Sequence, residues 1–293
     1  MTARDMALAA LTSVIWGLAF VAIKFGLESF SAPELTALRF VIACLPALFL
    51  PRPAISWPLL VLIGSTLFTG QFLLLFFAYT AGMPPGLASV TQQMQAFFTV
   101  LLAALFLREI PTLRQSIGMT VALGGLGLIA LTIGGDLTLP GLALAIGGAF
   151  SWAVGNVLVR RVGNVPMLPL MAWLSLVPPL PALLVSALHD ERLPLWGALA
   201  AASWSSIAAA VYLGAVATSL AYVLWGSLLA RYPAAMVAPF ALLAPATGVI
   251  ASALIFGELF GPLRYLGMAL ILAGLAIVVL PKHWSLGRRR VRE

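Results

Sequence analysis

The sequence predicts an all-α membrane protein of ten transmembrane helices, laid out as two five-helix repeats of opposite polarity. Three observations lead there: uncharged apolar blocks as long as a bilayer is thick, a one-sided distribution of Lys and Arg, and residues that recur at a fixed offset in the two halves.

The 293 residues are 62% hydrophobic and only 9% charged, with a mean hydropathy of +1.09. A water-soluble core of this size has no use for so much apolar surface, so lipid is the solvent for most of it. About 20 apolar residues cross a hydrocarbon core ~30 Å thick, and the blocks have that length. Helix one occupies residues 6–23; it reaches Lys24 without a small-residue cleavage site and reads as a retained helix, not a signal peptide. Helix two covers about 33–50 and carries Arg39 inside it. Residues 53–107 are 55 uncharged positions, too many for one span, and Gly82-Met83-Pro84-Pro85-Gly86 divides them into helices three and four. Helices five, six and seven fill 115–135, 137–159 and 162–188. Helix eight lies within 193–230, which is too short for two spans, so its first part belongs at the interface. Helices nine and ten fill 232–257 and 265–281.

The net charge of +7 and the pI near 10.3 raise the question of a nucleic-acid partner, and the placement of charge answers it. Five of the sixteen cations, Lys282, Arg288, Arg289, Arg290 and Arg292, crowd into a basic tail, 282–293. Such a tail after a span reflects cytoplasmic retention and attraction to anionic lipid, so no nucleic acid is expected. With both termini cytoplasmic, that side receives the tail plus Arg4, Arg52, Arg108, Arg114, Arg160, Arg161 and Arg231, twelve cations against four (Lys24, Arg39, Arg192, Arg264). The expected location is a bacterial inner membrane, crossed many times by what is read as a monomer. The single cysteine, Cys44, allows no intrachain disulfide and reads as a small buried hydrophobe.

Glu109, Gly118-Met119 and Gly125-Leu126 recur as Glu258, Gly267-Met268 and Gly274-Leu275, always 149 residues on, and Trp16 and Lys24 match Trp152 and Arg160 in their separation of eight. The repeats are 1–134 and 139–281. An odd number of helices per repeat makes the second enter the membrane the other way up, the layout of two-sided transporters. The cation count independently puts Glu109 on the cytoplasmic side and Glu258 on the other.

Trp16-Gly17 followed by Lys24, Arg39, the run Phe77-Ala78-Tyr79-Thr80-Ala81, Glu109 and Gly257-Glu258 together resemble the drug/metabolite transporter superfamily and its EamA-like exporters, over essentially the whole chain. The resemblance implies ten helices around a central cavity between the halves, and export of metabolites, aromatic and other neutral amino acids first. The chain departs from the family pattern in one place. Helix nine has the usual Pro245, but helix four has Gln95-Ala96 where a proline is expected, so the first half is expected to bend differently and to be more polar there.

Polar side chains within spans cost free energy unless they face protein or water, so their faces should point to the cavity. Trp16, Phe20 and Lys24 share a face of helix one; Gln71 and Tyr79 lie on helix three; Gln92, Gln95 and Thr99 form a stripe on helix four. Trp152 and Asn156 lie on helix six, and Thr218, Tyr222 and Trp225 on helix eight. Aromatics mixed with amides suit a small, partly apolar zwitterion; interhelical hydrogen bonds are the structural alternative. Ala143, Gly147, Ser151 and Gly155 form a close-packing stripe opposite the polar face of helix six. Pro178, Pro179, Pro181, Pro239 and Pro245 should kink helices seven and nine. Arg39 has two readings: it snorkels outward to pair with Glu34 or Glu28, or it anchors a substrate carboxylate.

All nine acids lie at or near span ends. No carboxylate sits mid-membrane to carry a proton, so transport is expected without a proton-coupling carboxylate, with Glu109 and Glu258 as helix caps or loop anchors. No catalytic cluster, metal-ligand spacing or phosphate-binding glycine loop is present, which argues against an intramembrane enzyme and against any metal or cofactor. A carrier of nucleotide-sugars, lipids or drugs is the nearer alternative, although phosphate would call for more cations in the pathway than Arg39.

Overall fold

The computed structural model describes residues 1–163, 165–189 and 195–280. The basic tail 282–293 lies outside the described residues, as do Asn164, the segment 190–194 and Pro281. The described residues contain helices and no strands: α1 (Ala3–Gly26), α2 (Ala32–Ala43), α3 (Trp57–Thr80), α4 (Pro85–Leu107), α5 (Leu113–Ala130), α6 (Leu139–Val162), α7 (Met167–Leu188), α8 (Trp204–Arg231), α9 (Ala238–Phe256) and α10 (Pro262–Val279). A short helix, Leu195–Ala201, has no buried residue and precedes α8, where an interfacial segment was expected. Nine of these helices are long and apolar enough to cross a membrane.

The exception is α2, which stops at Ala43 instead of running to residue 50 and gives way to a 3₁₀ turn, Leu45–Leu48. Pro46 has no N–H for the carbonyl of Ile42, and its ring crowds that carbonyl. At the other end α2 begins with a capping box, in which the Ser31 N–H donates to Glu34 Oε2 (2.8 Å) and the Glu34 N–H to Ser31 Oγ (3.4 Å). Nine of its twelve residues are buried; α2 is enclosed by protein more than by lipid.

Irregularities recur in the two halves at the 149-residue offset. α3 widens into a π segment at Ser65–Gly70 and α8 at Tyr212–Leu220. In each, a threonine hydroxyl donates to the carbonyl five residues earlier, Thr69 to Gly64 (3.4 Å) and Thr218 to Leu213 (2.7 Å). α4 is interrupted at Gln92-Gln93, and α9 changes from 3₁₀ to α geometry at the matching Leu242-Leu243 boundary. The first half thus interrupts its fourth helix near the corresponding place without a proline, by a two-residue turn where the second half has a 3₁₀ segment. α7 is broken between Leu174 and Pro179, as its prolines predict.

The halves interlock. α1 packs on α8 and α9, α6 packs on α3 and α4, α2 packs on α7, and α5 packs along α10. In the last pair a Cβ added to Gly125 would meet the Gly267 carbonyl oxygen at 2.5 Å, and one added to Gly118 the Gly274 carbonyl oxygen at 2.7 Å. Glycine is required because two backbones touch. The pairing of an early residue with a late one makes α5 and α10 antiparallel. On α6, the small-residue stripe lies against α3: Gly155 faces Leu67, and Ser151 Oγ donates to the Thr66 carbonyl (2.7 Å).

Candidate functional site

A cavity of about 320 Å3 lies among α1, α2, α3, α4, α6, α7, α8 and α9. Helical spacing builds its wall. α1 contributes Trp16, Ala19, Phe20 and Ile23, α3 contributes Leu67, Gln71, Phe72 and Leu75, and α6 contributes Trp152, Asn156 and Val159. Because α4 is interrupted at Gln92-Gln93, consecutive glutamines both reach the cavity, together with Gln95. Tyr222 and Trp225 enter from α8 and stack around Trp16, with ring centroids 6.0 and 5.1 Å from its own. The Trp16 indole N–H is held by the Ala217 carbonyl at 3.1 Å. Phe72 packs edge-on to Trp152 at 6.1 Å.

Nine of the eleven residues expected at the site line this cavity: Trp16, Phe20, Arg39, Gln71, Gln92, Gln95, Trp152, Asn156 and Tyr222. Thr218 does not; its hydroxyl turns back to Leu213 inside the π segment and accepts the Arg39 Nε–H at 3.1 Å. Tyr79 also lies outside, because eight residues of α-helix carry it well round from Gln71 and past the end of the cavity. Its hydroxyl donates to the Phe20 carbonyl (3.0 Å). Sequence reasoning missed Leu67, Leu75, Met167 and Met171, which carry no polar mark; the four-residue spacing on either side of Gln71 was the available signal for the first two.

Arg39 does not snorkel to Glu34 or Glu28. Glu34 is occupied in its own capping box, and Arg39 is 4% exposed. Its guanidinium lies 3.8 Å over the Phe72 ring, its Nε–H is spent on Thr218, and no carboxylate among the described residues forms an ion pair with it. It is the one charged side chain in the described cavity wall. Gln92 Nε2 donates to the Ala145 carbonyl (3.1 Å) and Asn156 Nδ2 to Thr99 Oγ1 (3.4 Å).

The cavity reaches one end of the bundle and stops short of the other. Its wall extends to Val159, Met167 and Leu229, beside Arg160 and Arg231 at the ends of α6 and α8. At the opposite end Tyr79 bonds to α1, and Ser89 Oγ bonds to the Pro245 carbonyl of α9 (3.2 Å). Glu258 there accepts the Gly86 N–H at the start of α4 (3.0 Å) and faces Lys24 at 3.7 Å. Burial raises the Glu258 carboxyl above its ordinary range, against the opposing pull of the Gly86 amide and the Lys24 ammonium. A separate hollow lies beyond this closure, lined by Lys24, Glu28, Asp136 and Glu258. At the other end Glu109, the counterpart of Glu258, pairs with Arg160 at 3.0 Å and is more than half exposed.

Comparison with known proteins agrees with this architecture. A model of the EamA-like transporter family matches the chain twice, over residues 4–131 and 139–280. The chain is 38% identical over 286 residues to a "Probable amino-acid metabolite efflux pump" of Salmonella typhimurium, covering 95% of this chain and 96% of that one. It is 37% identical to a protein of the same name from Escherichia coli K12, covering 97% of each. A "Probable terminal-alkyne amino-acid exporter" of Streptantibioticus cattleyicolor is 31% identical, over 96% of this chain and 94% of its own. A crystal structure only 20% identical in sequence shares the fold with a TM-score of 0.64, over 94% of this chain and 97% of that one. One family model falling on each half in turn, and relatives matched end to end, make this multi-pass membrane protein a transporter and not an enzyme: the chain belongs to the EamA-like transporter family.

Proposed function

We propose that the protein exports small amino acids, aromatic and other neutral ones foremost, across a bacterial inner membrane by alternating access between two inverted five-helix halves. The observation that carries the cargo is Arg39, buried at the cavity wall with its positive charge unmatched by any described carboxylate. A buried cation without a partner is costly, and a carboxylate brought by the substrate removes that cost. The names of the three relatives, two amino-acid metabolite pumps and an amino-acid exporter, point the same way. Trp16, Trp152, Tyr222 and Phe72 supply apolar faces for a side chain. A phosphate-bearing cargo fits less well, because the wall offers one guanidinium and no lysine among the described residues.

The antiparallel meeting of α5 with α10, and the exchange of α1 and α6 between the halves, support the inverted arrangement. With both termini cytoplasmic, as the cation distribution implies, the cavity faces the cytoplasm and the Lys24–Glu258 end is the closed periplasmic gate. No acid lines the cavity among the described residues, which supports facilitated movement down the metabolite gradient. The test is counterflow of labelled amino acids into liposomes holding the purified protein. Arg39→Met should lower it at least tenfold and Arg39→Lys should retain part of it. Arg39→Met behaving as the wild type refutes the reading.

A further inference from the structure

Besides Arg39, which has no ion-pair partner among the described residues, the cavity wall carries a second unsatisfied polar group. Gln71 is 4% exposed, and its Oε1 is fully buried with no hydrogen-bond partner among the described residues. Three other buried oxygens share that condition, on Asp5, Thr91 and Ser252. None of them belongs to the cavity wall, and Asp5 is ion-paired with Arg231 at 2.9 Å. Of the other wall amides, Gln92 and Asn156 each spend a donor on the protein, and Gln93 and Gln95 are only partly buried. An orphaned buried acceptor at a binding site awaits a donor.

Its position relates it to Arg39. Gln71 opens the regular part of α3 directly after the π segment, and the next residue, Phe72, carries the Arg39 guanidinium on its ring at 3.8 Å. Gln71 and Phe72 are adjacent on α3 and both line the cavity with Arg39, so the guanidinium donor and the amide acceptor belong to the same wall. Among the described residues the wall offers no Asp or Glu to an ammonium group, so a neutral acceptor is left to meet a substrate amine.

Building on the amino-acid reading above, we propose that Gln71 is the specificity residue for the substrate α-amine: Oε1 accepts from the ammonium while Arg39 holds the carboxylate. The cavity then selects for a free α-amine beside a carboxylate, not for carboxylates in general. A site built to hydrogen-bond one substrate group discriminates strongly against the analogue that lacks it, because the buried partner stays unpaired.

The experiment uses the full chain in liposomes preloaded with labelled L-phenylalanine or L-leucine. Unlabelled amino acids compete against their des-amino partners, 3-phenylpropionate and 4-methylpentanoate. The wild type should favour each amino acid over its partner by at least tenfold. In Gln71→Met the ratio should fall to about threefold or less while both carboxylates still compete, which also shows that the variant is folded; in Arg39→Met both should be lost together. A wild type that treats amino and des-amino acids alike overturns the proposal without any substitution, and so does a transport-competent Gln71→Met that keeps the full ratio. Should neither class support counterflow in the wild type, the amino-acid reading itself falls, and this inference with it.

Discussion

Arg108 ends α4 in the left-handed region, at φ 56° and ψ 29°, and it is the one non-glycine residue with positive φ among those described. Its counterpart 149 residues on is Gly257, at φ 66° and ψ 25°. The two halves need the same turn, and only one uses the residue that adopts it without steric cost. Arg108→Gly should therefore raise stability by about 1 kcal/mol, seen as a higher unfolding temperature in detergent, whereas Gly257→Arg should lower it. The glutamates that follow these positions have diverged in burial, and Glu258 gives a pH dependence. Its carboxyl is raised by burial, so the closed end holds a proton more tightly than an opened end that exposes the group. The stabilisation of the closed end is fully present at pH below the ordinary carboxylate range and is lost as pH rises through the raised value. Lys24, Glu28, Tyr79 and Asp136 share its hollow. Efflux should accordingly slow as the medium on the Lys24 side is acidified from about pH 7 to about pH 4, across the range where carboxyls titrate. Stepping that pH at constant internal pH tests it, and Glu258→Gln should flatten the response.

The α5–α10 pair shows how an element can depend on single atoms. Gly125 touches the opposing backbone, while a Cβ on Gly127, on the same helix, would have nothing within 4 Å. Gly125→Val should separate the helices and cost more than ~2 kcal/mol, and Gly127→Val should be close to neutral; thermal unfolding of the pair of variants measures the difference. This glycine pattern was readable from the repeat, as were the spans other than helix two, because lipid forbids charge over a bilayer's thickness; the helix that carries Arg39 is the one that stops short. Helical spacing likewise brought Trp16, Phe20, Trp152 and Asn156 to one cavity. Three features were not readable. The π segments leave no compositional trace, so Thr218 faced the wrong way in the sequence reading. The interruption at Gln92-Gln93 has no proline to announce it. For Arg39 an outward pair with Glu34 or Glu28 stood as one of two readings because sequence shows only neighbours, whereas its hydrogen-bond acceptor lies 179 residues away.

Across the whole molecule, most of what each half needs is supplied by the other. Thr138, at the start of α6, bonds through its hydroxyl to the Ala81 carbonyl at the end of α3. At the opposite corner Asp5, near the start of α1, accepts from the Tyr232 hydroxyl (2.7 Å) just beyond α8. The glutamate after each fourth helix pairs with the cation at the end of the other half's first helix. This exchange bears on how the protein is made. A ribosome that has delivered only the first five helices has placed in the bilayer a chain whose α1, α3, α4 and α5 still lack their main neighbours. For that interval the nascent chain is a client for chaperones and proteases, not a finished unit. Residues 1–134 expressed alone should be degraded, and co-expression with residues 135–293 as a separate chain should rescue both, as protein levels in membrane fractions would reveal. Recovery of a stable, lone first half would mean that the interlocking contacts are dispensable for assembly.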